Sequence, residues 1–67
     1  MQLSARNKIA GTVKAVHLGE VMAEVTIGVG ENEVIAIITK NSVEQLNLKV
    51  GDQAFAVIKA TEVMVAK

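Results

Sequence analysis

Val21, Ala23, Val25, Ile27 and Val29 alternate with Glu20, Met22, Glu24, Thr26 and Gly28, the period-two signature of a strand with one face turned to a core. Upstream, Ile9, Thr12, Val13 and Val16 favour a strand from Lys8 to Leu18, with Gly11 predicting a bulge or bend inside it and Gly19 a turn after it. Gly28, Gly30, Glu31 and Asn32 predict the next turn, and the run Val34 to Thr39 follows with no polar face, so both of its faces are expected to be covered. Ala54 to Ile58 and Val63 to Ala66 are likewise apolar on both sides.

Between the third and fourth of these runs, Asn41-Ser42-Val43-Glu44 places an N-cap residue three positions before a Glu, which predicts a short helix capped by Asn41 and running to Leu46. Leu48 to Asp52 then turn the chain, with Gly51 free to take a positive φ. The expected architecture is all-β: an OB-like five-stranded barrel with one short helix between strands three and four, forming a single domain over residues 1–67. A small barrel fills only its inside, so the outer apolar faces of the later strands are expected to meet another subunit.

Length sharpens that expectation. A chain of 67 residues buries only ~60% of the surface its unfolded form exposes, so small domains usually add a disulfide, a metal or a partner. With no Cys and His17 as the one histidine, no cation ligand set is expected, and self-assembly is the route that remains. His17, near the end of the first strand, is expected to be partly exposed or hydrogen-bonded in a structural role. The N-terminus MQLSARNKIAG lacks the apolar core of a signal peptide, and no apolar run approaches the ~18 residues of a membrane span. A cytoplasmic location, with no membrane partner, is therefore expected.

Seven basic and seven acidic residues cancel, leaving no global field to draw in nucleic acid, and Phe55 is the sole aromatic, expected in the core and not as a platform for bases. Ser4 and Ser42 have no neighbouring base, so no nucleophile is expected, and GVGENE lacks the later Gly and Lys of a phosphate loop. The chain is expected not to be an enzyme and to carry no catalytic cofactor. Three segments instead gather donors suited to an oxyanion. Ser4-Ala5-Arg6-Asn7 offers a hydroxyl, a guanidinium fork and an amide before the first strand. Thr39-Lys40-Asn41-Ser42 offers two hydroxyls and unpaired NH groups where a strand becomes a helix, and Lys59-Ala60-Thr61 an ammonium and a hydroxyl at a strand end.

Ser4-Ala5-Arg6-Asn7, then Gly11, Val13 and Gly19, Thr39 with Ser42, Leu46 and Leu48, Gly51-Asp52 and Lys59-Ala60-Thr61-Glu62-Val63 together resemble the Mop domain over nearly the whole chain. Beginning at Met1 with no other domain, the chain resembles the stand-alone, molbindin form. The resemblance implies non-catalytic binding of molybdate, with tungstate beside it, for intracellular storage or homeostasis. It also implies a homohexamer with tetrahedral oxyanions held where subunits meet. Carried over by motif, the oxyanion ligands are Ser4, Arg6, Thr39, Ser42, Lys59 and the backbone NH of Ala60, with Asn7 as a lesser candidate that would otherwise brace the arm. Alternatives are a molybdenum-pterin ligand, which would want a broader apolar slot, an OB-type nucleic-acid module and a purely structural scaffold.

Overall fold

A computed structural model describes residues 5–67. Four antiparallel strands, β1 (Asn7–Leu18), β2 (Met22–Val29), β3 (Asn32–Thr39) and β4 (Gln53–Ile58), form one sheet in the order β3-β2-β1-β4. The short helix α1 (Lys40–Leu46) lies between β3 and β4, and a single 3-10 turn (Ala60–Glu62) follows β4. The fold is thus all-β with one short helix, but the sheet has four strands and curls into a half-barrel. The expected fifth strand, Val63 to Ala66, does not form in its own chain, where these residues belong to no strand. Its sequence favours a strand, but it pairs with neither open edge, β3 or β4, of its own sheet.

Strand β1 joins the two halves. Its first half pairs with β4, from Asn7 opposite Ile58 to Thr12 opposite Gln53, and its second half with β2, from Thr12 opposite Gly28 to Leu18 opposite Ala23. The register slips by one residue between Val13 and Ala15. Val13 and Val16 are three apart yet oppose Ile27 and Val25, which are two apart, so Lys14 is the inserted residue of a bulge that keeps both valines on the core side. The irregularity anticipated at Gly11 therefore sits three residues later. Gly11 serves close approach instead: a Cβ there would stand 2.5 Å from the Gly28 carbonyl oxygen and 2.6 Å from Ile27 Cγ2. Gly28, expected in the turn, is buried within β2, and the β2–β3 turn is the pair Gly30-Glu31. Positive φ at Gly30 and not at Glu31 is the pattern of a type II′ hairpin.

The core is small: Val13, Ala23, Val25, Ile27, Val43 and Ala56 are buried, with Val34, Ala36 and Ile38 of β3 packed against them. α1 plugs one end of the half-barrel through Val43. Its cap is Thr39, not Asn41: the Ser42 NH donates to Thr39 Oγ1 at 3.0 Å, so the capping pair is Thr39 with Ser42. The helix ends as expected at Leu46, where Asn47 takes the left-handed conformation and the Leu48 NH donates to the Val43 carbonyl, a Schellman closure with Asn in place of the commoner Gly. Gly51 has φ 98°, and its NH donates to the Val13 carbonyl, tying the turn to the bulge.

Much apolar surface stays outside this core. Ile35 and Ile37 of β3 are 53% and 59% exposed, so the expected second cover is absent from the single chain. Phe55, expected in the core, is 66% exposed. It lines an apolar concavity of ≈ 550 Å³ between the two sheet edges, which Ala36 and Ile38 of β3 and Ala54 and Val57 of β4 also border. The accessible surface is 5488 Å², against about 4,100 Å² for a compact monomer of this mass. The excess, roughly 1,400 Å², exceeds the ~800 Å² that one partner contributes to a standard protein interface.

Candidate functional site

The three donor segments fall into two groups at opposite ends of β1. At its N-terminal end, Asn7 pairs with Ile58 and its side-chain amide donates to the Ile58 carbonyl at 3.2 Å. Asn7 thereby braces the arm to β4, the alternative role expected for it. Continuing this register outward sets Arg6, just before β1, beside Lys59, just after β4. Both side chains are exposed, and nothing in the packing pins either one away from solvent. Lys59 caps the 3-10 turn with extended backbone, its carbonyl accepting from the Glu62 NH, while the Ala60 carbonyl accepts from the Val63 NH. Ser4 lies outside the described residues.

At the other end, Thr39 pairs with Met22, and the Lys40 NH donates to the Val21 carbonyl at 2.8 Å, which fixes the start of α1 against the β1–β2 turn. Thr39 Oγ1 donates to Ser42 Oγ at 2.8 Å while accepting from the Ser42 NH. The two hydroxyls therefore form a pre-set pair, and the Ser42 O–H, already accepting from Thr39, is left to donate outward. Fewer backbone donors are free here than the segment predicts, because the Lys40 NH is engaged by Val21 and the Ser42 NH by its cap.

The groups do not meet within one molecule. The twelve residues of β1 would span ~36 Å if straight, and a curvature that halved this would still leave ~18 Å, far more than the reach of donors around one small anion. The register of β1 with β4 extends to set Arg6 beside Lys59 and its chain neighbour Ala60; Thr39 and Ser42 are joined by hydrogen bonds; the length of β1 separates the two sets. His17 is exposed opposite Glu24, near the C-terminal end of β1. Among the described residues no three His, Cys, Asp or Glu side chains cluster as for a metal cation. No helix among them is long and apolar enough to cross a membrane.

The Lys14 bulge leaves only a faint trace in the sequence, and the Thr39–Ser42 hydroxyl pairing none. The uneven spacing of Val13 and Val16 is the one signal that points to the first.

Known proteins place this arrangement in context. The TOBE domain model matches residues 3–65. The chain is 46% identical over 65 residues to "Molybdenum transport protein ModE" of Azotobacter vinelandii, covering 96% of this chain but only 24% of that protein. It is 44% identical over 66 residues to the "Probable molybdenum-pterin-binding protein" of Haemophilus influenzae, covering 97% of this chain and 96% of the relative. Among solved structures, a molybdate binding protein from Sporomusa ovata superposes with a TM-score of 0.94 at 43% identity, each chain fully covered. The cytoplasmic molybdate-binding protein ModG, in a molybdate-bound form, gives a TM-score of 0.82 at 48% identity over 90% of this chain and 43% of its own. The chain belongs to the TOBE domain family, and within it aligns end to end with small molybdenum-pterin-binding and molybdate-binding proteins.

Proposed function

We propose that this protein binds molybdate, and tungstate by the same geometry, at contacts between identical subunits, as a non-catalytic store or buffer of the oxyanion in the cytoplasm. The reading takes residues 1–67 as a single Mop domain. The observation that carries it is the whole-length similarity to a molybdate binding protein of the same fold. It is joined by a donor set that one chain splits between the two ends of its first strand. Arg6, Lys59 and the Ala60 NH from one copy, with Ser4 of the same segment, face Thr39 and Ser42 from another. Assembly of several copies, a hexamer in the fullest form, brings the halves together.

Binding of this kind makes and breaks no covalent bond. The guanidinium of Arg6 presents two parallel N–H groups to adjacent oxygens, and Lys59 adds a compact charge; charge-assisted hydrogen bonds offset the desolvation of a dianion. The Thr39–Ser42 hydroxyl pair, held at 2.8 Å on a helix cap, leaves the Ser42 O–H free to donate and so fixes where a third oxygen sits without the entropy loss of ordering a free side chain. Molybdate and sulfate share charge and tetrahedral shape, so discrimination rests on cavity size. Calorimetric titration of the assembled protein with molybdate, tungstate, sulfate and phosphate tests this. Tight, similar binding of the first two and much weaker binding of the others is expected. Equal affinity for all four would contradict the size argument, and no heat with any of them would contradict the function.

A molybdenum-pterin ligand is the second reading, favoured by the names of the whole-length relatives and by the apolar concavity with Phe55 on its wall. Its spectrum separates it: a pterin-bound protein absorbs in the near ultraviolet, whereas molybdate-loaded protein does not.

A further inference from the structure

Along the first half of β1, side chains alternate between the two faces of the sheet. Val13 of β1 and Ala56 of β4 are buried on the core side. Lys8, Ala10 and Thr12 therefore lie on the outer face, opposed across the ladder by Val57, Phe55 and Gln53. The Gln53 amide donates to Thr12 Oγ1 at 3.2 Å on this same face. Two residues beyond Lys8, Arg6 and Lys59 stand side by side, and all three cationic side chains are exposed. The segments 5–12 and 53–60 hold these three cations and no acidic residue, so this part of the ladder carries a charge of +3. The chain as a whole is neutral, so the remainder, with four basic and seven acidic residues, carries −3. Net neutrality thus conceals a division of charge. Like charges opposite one another repel and destabilise a ladder, and neither segment supplies an acid to offset Lys8. Folding alone does not account for a third cation on this face.

We infer that Lys8 is a positioning residue for the oxyanion, which it draws along the outer face of β1 and β4 toward Arg6 and Lys59. The inference rests on the oxyanion reading of the proposed function and adds a residue to it. Arg6 and Lys59 already match the two charges of a dianion, so Lys8 is surplus to charge balance in the bound state and acts through its field. Its rung of the ladder stands ~7 Å from theirs, close enough for a unit charge to act strongly on a doubly charged ion when salt is low. Its other neighbours on the face are Ala10, Val57 and Phe55, the last two 43% and 66% exposed. Apolar side chains offer an anion no donor and limit the screening of the field by water. An ion attracted to this face therefore finds its charged donors at the Arg6–Lys59 end.

Stopped-flow mixing of the full-length protein with molybdate, read by the ultraviolet absorbance of the oxyanion, tests this role. Two neutral variants, Lys8→Gln and Lys8→Met, are expected to lower the association rate about fivefold at about 0.01 M salt and about twofold at about 0.15 M. These factors follow from one unit charge acting on a dianion at ~7 Å with Debye lengths of about 30 and 8 Å. Lys8→Glu doubles the change in charge and is expected to square both factors, whereas Lys8→Arg restores the wild-type rate. The dissociation rate and the number of ions bound are expected to stay nearly unchanged throughout. Lys49→Gln, which removes an exposed lysine from the turn before β4, is the control and is expected to match wild type. Neutral Lys8 variants that associate at the wild-type rate in low salt overturn the role, as does a loss carried by faster dissociation. An equal loss in Lys49→Gln also overturns it, because the effect would then belong to net charge and not to this face. Neutral variants that no longer assemble by native mass spectrometry would make Lys8 a structural residue and overturn it too. Wild-type protein that takes up no molybdate overturns the oxyanion reading together with this inference. Normal wild-type uptake with unaltered Lys8 variants overturns the inference alone.

Discussion

Glycines that look alike in the sequence differ in what surrounds them. Gly11 abuts backbone: an added methyl would collide with the Gly28 carbonyl and Ile27, and strands cannot part without breaking the β1–β2 ladder. At Gly28 the nearest atoms all belong to the Lys14 stem, whose Cε would stand 2.6 Å from an added methyl, and a flexible side chain can swing away. Gly11→Ala is therefore expected to destabilise by ~1–3 kcal/mol and Gly28→Ala by markedly less, read from urea denaturation at a fixed protein concentration. Equal losses would show that the strand contact at Gly11 is softer than its geometry implies. For the site, Arg6→Ala removes a charged bidentate donor at an exposed position. Its expected effect is a loss of ~1.5–3 kcal/mol in molybdate binding with the assembly retained, measured by calorimetry; unchanged affinity would mean that the charge comes from elsewhere.

At the scale of elements, the cap of α1 has two roles at once. Thr39 satisfies the Ser42 NH and orients the Ser42 hydroxyl. Thr39→Ala should lower stability by ~1 kcal/mol through the lost cap and also weaken molybdate binding, whereas Thr39→Ser should preserve both. A Thr39→Ala protein with full affinity would separate the cap from the site. The donor segments were legible in sequence because they join residue types of one chemistry at strand ends. The cap was misassigned to Asn41 because Asn41 and Thr39 are both competent caps, and the choice is made by the Lys40 NH bond to Val21, a tertiary contact. The strands were legible through alternation. The bulge was not, since a single inserted Lys14 leaves the local pattern nearly unchanged while shifting every later pairing.

At the scale of the molecule, the sequence announces five strands and the single chain pairs four. The discrepancy is physical: strand propensity is local, whereas pairing is set by the fold, which leaves Val63–Ala66 without a partner strand in its own chain. The same holds for Phe55, Ile35 and Ile37, apolar by composition and exposed in isolation. With six buried apolar residues in its core among the described residues, the lone subunit is expected to be marginal, and its thermal midpoint should rise with protein concentration and with added molybdate. A midpoint independent of both would mean that subunit and ligand contribute nothing to folding.

The division of donors between the ends of β1 is tested most directly by mixing two defective chains. An Arg6→Ala protein and a Thr39→Ala, Ser42→Ala protein are each deficient alone, because every site in the first lacks the guanidinium of one half and every site in the second lacks the hydroxyls of the other. Co-assembled at equal amounts, with bound molybdenum measured after dialysis, they are predicted to recover about a quarter of full capacity, the share of contacts at which random mixing joins an intact half from each. Recovery no greater than that of the two proteins kept apart would contradict a site shared between copies.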